Sequence, residues 1–387
     1  MIYTKRRNHQ QQPITQKQLL EIENILKKQM NNPKSLKLLS SEEYELISKI
    51  KSITKQFNAN NIIRTQAYLD FYQKHPEIEW SLLAHLVSRN AGWNMTDLKG
   101  EFLPKLLSEK KQRQFFLFLE RANWLIFQDV YPQLLLYKES LQRNKPLFYL
   151  LPYFNVSSFI QPFWNYFWSN KNRYFLTTAL IINEQNYIEK RVVQNQIYTD
   201  STLHSFTFKL QEHLNFSHVL LPYQDKGALH KVGIIGQTLH HFESLDKRIK
   251  FGKRLYTLLY FNQARLNKIV DWAISNPHSG SRKDYWPHLF NDVKESLPGK
   301  LYKPRTNNCT LKKGAKRLYS PKLQFVWKDI SHIEATQGDW FEDYSVINNF
   351  KYDKNDVNEE ITHAYCESIK TLELIMYLSE VIFHVRE

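Results

Sequence analysis

Apolar residues along this chain recur every three to four positions over long stretches, the spacing of one face of an α-helix. The text TQKQLLEIENILKKQ, from Thr15, sets Leu19, Ile22, Ile25 and Leu26 on one side. Ser41-Glu42-Glu43-Tyr44 opens another helix, with Ser40 or Ser41 as its cap. Helical patterns continue over residues 61–74, 78–90, 111–131, 155–169, 172–194, 201–213, 235–274 and 357–385. Breaks fall at His75-Pro76, Gly92, Pro104, Pro146, Pro152 and Pro222. Neither a train of alternating strands nor a fixed-period repeat is visible. Leu297 to Asp356 differs, with Pro298, Gly299, Pro304, Gly314, Pro321 and Gly338 among charges and aromatics. The pattern predicts a mainly α protein, a large multi-helix, bundle-like domain with an irregular wrap. Its parts are a loose basic arm at 1–15, a helical body at 16–296, the wrap at 297–356, and a C-terminal helix at 357–387 packing back on the body.

Composition agrees with that reading. The 387 residues are 42% hydrophobic and 24% charged, a folded chain with a sizeable core. Only 10 are glycine, too few for many Gly-bearing tight turns, which favours helices. Lys plus Arg number 53 against 38 Asp plus Glu, a formal +15, so an anionic partner is expected: nucleic acid, a phosphorylated ligand or an acidic membrane surface. Solvated helix faces alone also produce such a surplus. Cys309 and Cys366 form no Cys-x-x-Cys pair, which leaves reduced thiols in a cytoplasmic protein as the simplest reading. The basic, Gln-rich N-terminus is followed by no apolar h-region, and no window reaches about 18 uninterrupted apolar residues, so no transmembrane helix is expected.

Polar residues inside apolar helices carry more information, because burying them costs free energy unless they are paired. In FFLFLERANWLIFQDVYPQLL, Glu120 is flanked by Phe116, Trp124 and Phe127. In LTTALIINEQNYIEKRVVQ, Glu184 shares a row with Leu180 and Ile188, with Asn183, Asn186, Glu189 and Arg191 nearby. In WSLLAHLVSRNAGWNMTDL, Ser81, His85, Ser88 and Arg89 form a polar seam. If the seams converge, Glu120 and Glu184 supply carboxylates and His85 and Arg191 supply donors for acid–base work. If they do not, they are buried networks that fix helix register.

Two further stretches bear on anions. NPHSGSRKDYWPHLF, from Asn276, contains Ser281-x-x-Asp284, close to a capping box that would start a helix at Arg282. His278, Ser279, Ser281, Arg282 and Tyr285 could then cradle an oxyanion at the helix N-terminus. Residues 300–317 hold Lys300, Lys303, Arg305, Lys312, Lys313, Lys316 and Arg317 with no acid among them, a patch able to track a phosphate backbone. A solvated loop is the plain alternative. An amphipathic helix with a cationic edge of Lys247, Lys250 and Arg254 reads as a core helix with a wet back.

Several chemistries are excluded. There is no P-loop, dinucleotide fingerprint or nucleophile elbow, so no cofactor is expected. One Glu-x-x-His, Glu360 to His363, does not make a di-metal site, so no metal is expected. LVSRNAGWNMTDL looks like the catalytic turn of lytic transglycosylases, but Asn90 stands where their glutamate would be.

HLVSRNAGWNMTDLKG, LERANWLIFQDVYPQLLLY, LIINEQNYIEKRVVQ and HSGSRKDYWPHLF together resemble an uncharacterised family of Bacillus-type bacteria. The family is domain of unknown function 2515, the YppC-like proteins, and the resemblance spans approximately residues 60–345. It implies a cytoplasmic bacterial protein and carries no activity, cofactor or catalytic residue with it. The leading expectation is a non-catalytic anion-binding protein, associating with nucleic acid through the 300–317 patch. The alternatives are an enzyme whose internal Glu/His/Arg pocket acts on an anionic substrate, and a protein-interaction scaffold.

Overall fold

Short polar side chains set the starts of several long helices. Ser40 accepts from the amide of Glu43, whose carboxylate accepts from the amide of Ser40 (2.8 Å), closing a capping box on α2 (Ser41–Phe57). Asn60 caps α3 (Asn61–Lys74), Ser108 caps α6 (Glu109–Arg143) and Asn172 caps α8 (Arg173–Ile188). The computed structural model describes residues 14–31, 38–198, 218–224, 232–295, 302–351 and 361–384. The loose arm, bar its last two residues, and the 201–213 helix expectation lie outside those residues. Before and between the capped helices come α1 (Gln16–Asn31), α4 (Trp80–Asp97), α5 (Leu103–Leu106) and α7 (Gln161–Asn170). A π-helical turn, Glu189–Val193, and the short α9 (Gln196–Tyr198) follow α8. Then come β1 (His218–Gln224), β2 (Val232–Thr238), α10 (Leu245–Phe261) and α11 (Gln263–Ser275). The fold is mainly α, as the periodicity predicts.

Helix α8 is central. Every residue from Tyr174 to Asn183 is buried, and α4, α6, α7 and α10 pack around it. Gly252 lets α10 come close: a Cβ there would lie 2.8 Å from Ile181 Cγ2. Helix α6 runs on past Pro132, beyond the 111–131 span the sequence pattern predicts. The missing N–H removes one rung, and the burial of Tyr131 and of Leu134 to Tyr137 holds the helix together across it.

The long helix expected over 235–274 is divided. Its first residues belong to β2, which pairs antiparallel with β1 in the register Leu221↔Ile235. Gly233 and Gly236 lower helix propensity here, and Val232, Ile234 and Ile235 favour a strand. Asn90 fixes this hairpin to α4: its Nδ2 donates to Leu220 O, and its Oδ1 accepts from Leu220 N, both at 2.8 Å. Asn90, which stands where a transglycosylase would place its acid, is a backbone mimic.

The wrap pairs Leu318–Tyr319 with Phe290–Asn291 of the body, and Thr306–Asn307 with Thr310–Leu311 within itself. It is bound to the last helix, α13 here, with the one-turn α12 (Leu323–Val326) before it; α13 spans Thr362–His384. Glu373 on α13 accepts from Tyr302 Oη (2.7 Å) and from the amides of Arg305 (2.6 Å) and Thr306 (3.0 Å). The expectation of reduced thiols is corrected. Cys309 and Cys366 form a disulfide, because Glu373 and its partners lay the 306–311 hairpin against the start of α13, with Cα atoms 5.3 Å apart. The bond closes a loop between residues 57 apart in sequence, so reduction should lower stability by roughly 2–4 kcal/mol. Urea unfolding with and without dithiothreitol measures this; a C309S/C366S protein should match the reduced one. No helix among the described residues is long and apolar enough to cross a membrane.

Candidate functional site

On α4, Leu83, Val87, Ala91 and Asn94 recur at helical spacing and face one side; Phe118, Ala122 and Ile126 do the same on α6. Between these two stripes, with Glu184 and Ile188 of α8 and Phe251 and Leu255 of α10, lies a groove of about 290 Å³. Its lining is predominantly apolar, the usual character of a small-molecule site. Polar groups collect at two places along it. Glu184, Gln185 and Arg248 form one, near the start of α4; Asn94, Asp97 and His218 form the other, near its end.

Glu184 is tied to α4 by Trp80, whose Nε1 donates to Oε2 (3.1 Å), while Gln185 Nε2 donates to Oε1 (3.2 Å). Burial pushes its carboxyl up to about 8, against the weaker pull of those two donors, and Asp129 adds to the rise. Glu184 is therefore protonated at neutral pH. Behind it, Arg248 Nε donates to Gln185 Oε1 (3.0 Å), Nη1 donates to Phe242 O (2.6 Å), and Nη2 pairs with Glu189. Asp129, one layer deeper on α6, accepts from Asn183 Nδ2 (2.5 Å) and Gln133 Nε2 (3.1 Å), and burial raises it to about 7.

Of the four residues weighed for acid–base work, only Glu184 lines this groove. Glu120 faces α3, where Arg64 Nη2 donates to it (2.5 Å) and His332 approaches to 3.7 Å. Burial holds the His85 imidazole well below its ordinary value, and its Nδ1 lies 2.8 Å from Thr65 O. Arg191 donates to the carbonyls of Tyr187, Thr336 and Gly338.

The anion-cradle residues have protein partners. His278 Nε2 bonds to Asn61 Oδ1 (3.0 Å) beside Gly92, where a Cβ would lie 2.4 Å from both atoms. Ser279 donates to Asp284 from both its amide (2.9 Å) and its hydroxyl (2.5 Å), and Ser281 Oγ donates to Ser320 O. Arg282 forks onto Asp97, and Tyr285 Oη lies 2.6 Å from Tyr365 Oη. The helix expected at Arg282 is one 3₁₀ turn, Arg282–Asp284; Pro287 follows closely and cannot continue an α-helix.

Within the basic patch, Arg305 pairs with Glu101 (2.8 Å), Arg317 with Glu295 (2.6 Å), and Lys312 donates to Pro304 O (2.9 Å). Lys303, Lys312, Lys313 and Lys316 are exposed; Lys300 lies outside the described residues.

Sequence reasoning missed Asn94, Asp97, Asp129 and Arg248. A signal existed for Arg248: it shares the row of Phe251, Gly252 and Leu255, an arginine on the apolar side of its helix. Asp129 likewise is an acid set within the mostly buried stretch from Leu125 to Leu136.

Fold and groove together define a mainly α-helical protein with a long apolar groove bearing one neutral acid. The chain belongs to the family described as protein of unknown function (DUF2515), whose model matches residues 56–370. A curated relative, the uncharacterized protein YppC of Bacillus subtilis (strain 168), is 36% identical over 337 residues, covering 87% of this chain and 96% of the relative. No solved structure matches the chain.

Proposed function

We propose that this protein binds a small molecule with an apolar body and a hydrogen-bond-accepting head, seated in the α4–α6–α8–α10 groove with its head at Glu184. One observation carries the reading. Both Glu184 oxygens already accept hydrogen bonds from the protein, yet the carboxyl is protonated at neutral pH, so its own O–H is a donor without a partner among the described residues. A donor left unspent in a largely apolar groove wall is costly, and an acceptor on a ligand would satisfy it. A carboxylate is the strongest such acceptor, and Arg248 at the same end is already paired with Glu189, so the head is met by the Glu184 hydroxyl rather than by a free cation. This keeps the expected anionic partner and moves its site from the Arg282 turn to Glu184. Association with nucleic acid through the exposed lysines of residues 303–316 has less support, because Arg305 and Arg317 are already paired with acids.

The test uses tetradecanoate, an apolar chain that stays ionised above pH 6. Its affinity should fall tenfold or more between pH 6.5 and 9.5, with a midpoint near 8 as Glu184 ionises, the loss of a hydrogen bond to a charged head. Glu184→Gln keeps a donor, so its profile should be flat. Val87→Trp, at a partly exposed α4 position in the groove, should weaken binding at every pH. Calorimetry reads all three; a wild-type profile with no pH dependence, or tight binding by Val87→Trp, would remove the assignment. The same carboxyl acts on stability. Its folded value lies above the ordinary 4.5, so the native state holds a proton the unfolded chain has released. Stability should fall by on the order of 3 kcal/mol as pH rises from about 4.5 to about 8, and Glu184→Gln should remove that slope.

A further inference from the structure

Asn94 lines the other polar end of the groove, and its protein contacts leave half of its amide unused. Arg282 Nη2 donates to Asn94 Oδ1 (3.2 Å). A guanidinium accepts nothing, so this contact fixes which way the amide points: oxygen toward Arg282, Nδ2 away from it. Among the described residues Nδ2 has no hydrogen-bond partner, and Asn94 is partly exposed in the groove wall. Its neighbours are satisfied. Asp97 is taken by the Arg282 fork, and the His218 nitrogens meet Thr238 Oγ1 (2.6 Å) and Ser368 Oγ (3.1 Å).

The groove therefore offers two unspent donors, the Glu184 hydroxyl and Asn94 Nδ2. Trp80, which holds Glu184, and Asn94 are fourteen residues apart on α4, about 21 Å at 1.5 Å per residue. Val87 and Ala91 lie between them on the same helix. We propose that the ligand is an elongated molecule with an acceptor at each end: a head at Glu184, an apolar chain along α4, and a second, uncharged acceptor at Asn94. This rests on the groove reading and extends it. The second acceptor is uncharged because Arg282, the cation at this end, is already taken by Asp97, so an anion there would find no free positive partner. An ester or amide carbonyl, or a hydroxyl, fits. Arg282 is a positioning residue, since it turns the Asn94 amide so that its donor faces the groove.

Linear monoacids of 12 to 18 carbons, compared by calorimetry at pH 6.5 with the monomethyl esters of the matching α,ω-diacids, test this. At the length that spans both donors the ester acid should bind about fivefold more tightly than the monoacid, the worth of one neutral hydrogen bond. Asn94→Leu should erase that gain. Asn94→Asp keeps the oxygen that Arg282 needs and removes the donor, so it should erase the gain even if the leucine variant folds poorly. Monoacids that bind with no ester gain at any length overturn this inference alone, as does a gain that survives in Asn94→Asp. Failure of both ligand series to bind overturns the groove reading and this inference with it.

Discussion

Arg282→Ala should lower the unfolding free energy by roughly 3–5 kcal/mol, the cost of removing one member of a buried ion pair. The guanidinium joins three parts of the chain. It forks onto Asp97 at the end of α4 (2.6 and 2.8 Å), and Nη1 donates to Tyr285 Oη (2.8 Å) and to Tyr365 Oη on α13 (3.0 Å). Its backbone amide donates to Ser320 Oγ (2.8 Å), which holds the turn to the wrap. Truncation leaves a mostly buried carboxylate without its charge partner and two buried hydroxyls short of a donor. Arg282→Lys should recover less than half of the loss, because an ammonium cannot reach Asp97 and both tyrosines in one geometry. Chemical denaturation at pH 7 measures both. An alanine variant within about 1 kcal/mol of wild type would mean that this junction does not hold the wrap and α13 to the body.

Much of the helical body is legible in the sequence because apolar spacing and cap residues agree at four starts: Ser40, Asn60, Ser108 and Asn172 each precede a periodic run. The β1–β2 hairpin is not. Its strands are short apolar runs, which periodicity cannot separate from helix, and Pro222 reads as a break although it sits in a two-stranded ribbon opposite Ile234. The Cys309–Cys366 bond is invisible because spacing does not determine pairing; the Glu373 contacts bring the two segments together.

For the site, the useful signal was an acid within an apolar stripe, and it found Glu184. It could not tell Glu184 from Glu120, since both are surrounded in sequence by large apolar residues. Helical geometry separates them. Leu119, Ala122 and Ile126 face the groove, whereas Glu120 is rotated by about 100° from Leu119 and meets α3 instead. The Arg282 segment was singled out for its chemistry, and its chemistry is spent on the protein itself. Its connection to the groove runs through Asn94 and Asp97, both on α4 at the far end of the seam that holds His85 and Arg89.

Breaking the Arg64–Glu120 pair should be as damaging as losing Arg282, and its pattern of rescue identifies why. Both side chains are almost wholly buried, 1% and 4% exposed. Arg64 also donates to Asn58 through Nη1, at O (3.3 Å) and Oδ1 (3.2 Å), and Asn58 Nδ2 donates to Trp124 O (3.1 Å), so the pair links α2, α3 and α6. Arg64→Leu or Glu120→Leu alone should each cost about 3–5 kcal/mol, since each leaves an uncompensated buried charge. The double variant should be more stable than either single one, because two leucines bury apolar surface where two desolvated charges stood. A double-mutant cycle by urea unfolding at pH 7 reads the coupling; costs that simply add would show that the two charges do not interact. Acid gives an independent check. Burial pushes the Glu120 carboxyl up, but Arg64 and His332 outweigh it and hold the group below its ordinary 4.5. A carboxylate depressed in the native state stabilises the fold above its unfolded value, and that contribution is lost as pH falls through the native one. Wild type should therefore lose stability below about pH 4.5 more steeply than the double variant, which has no carboxyl at position 120 to titrate.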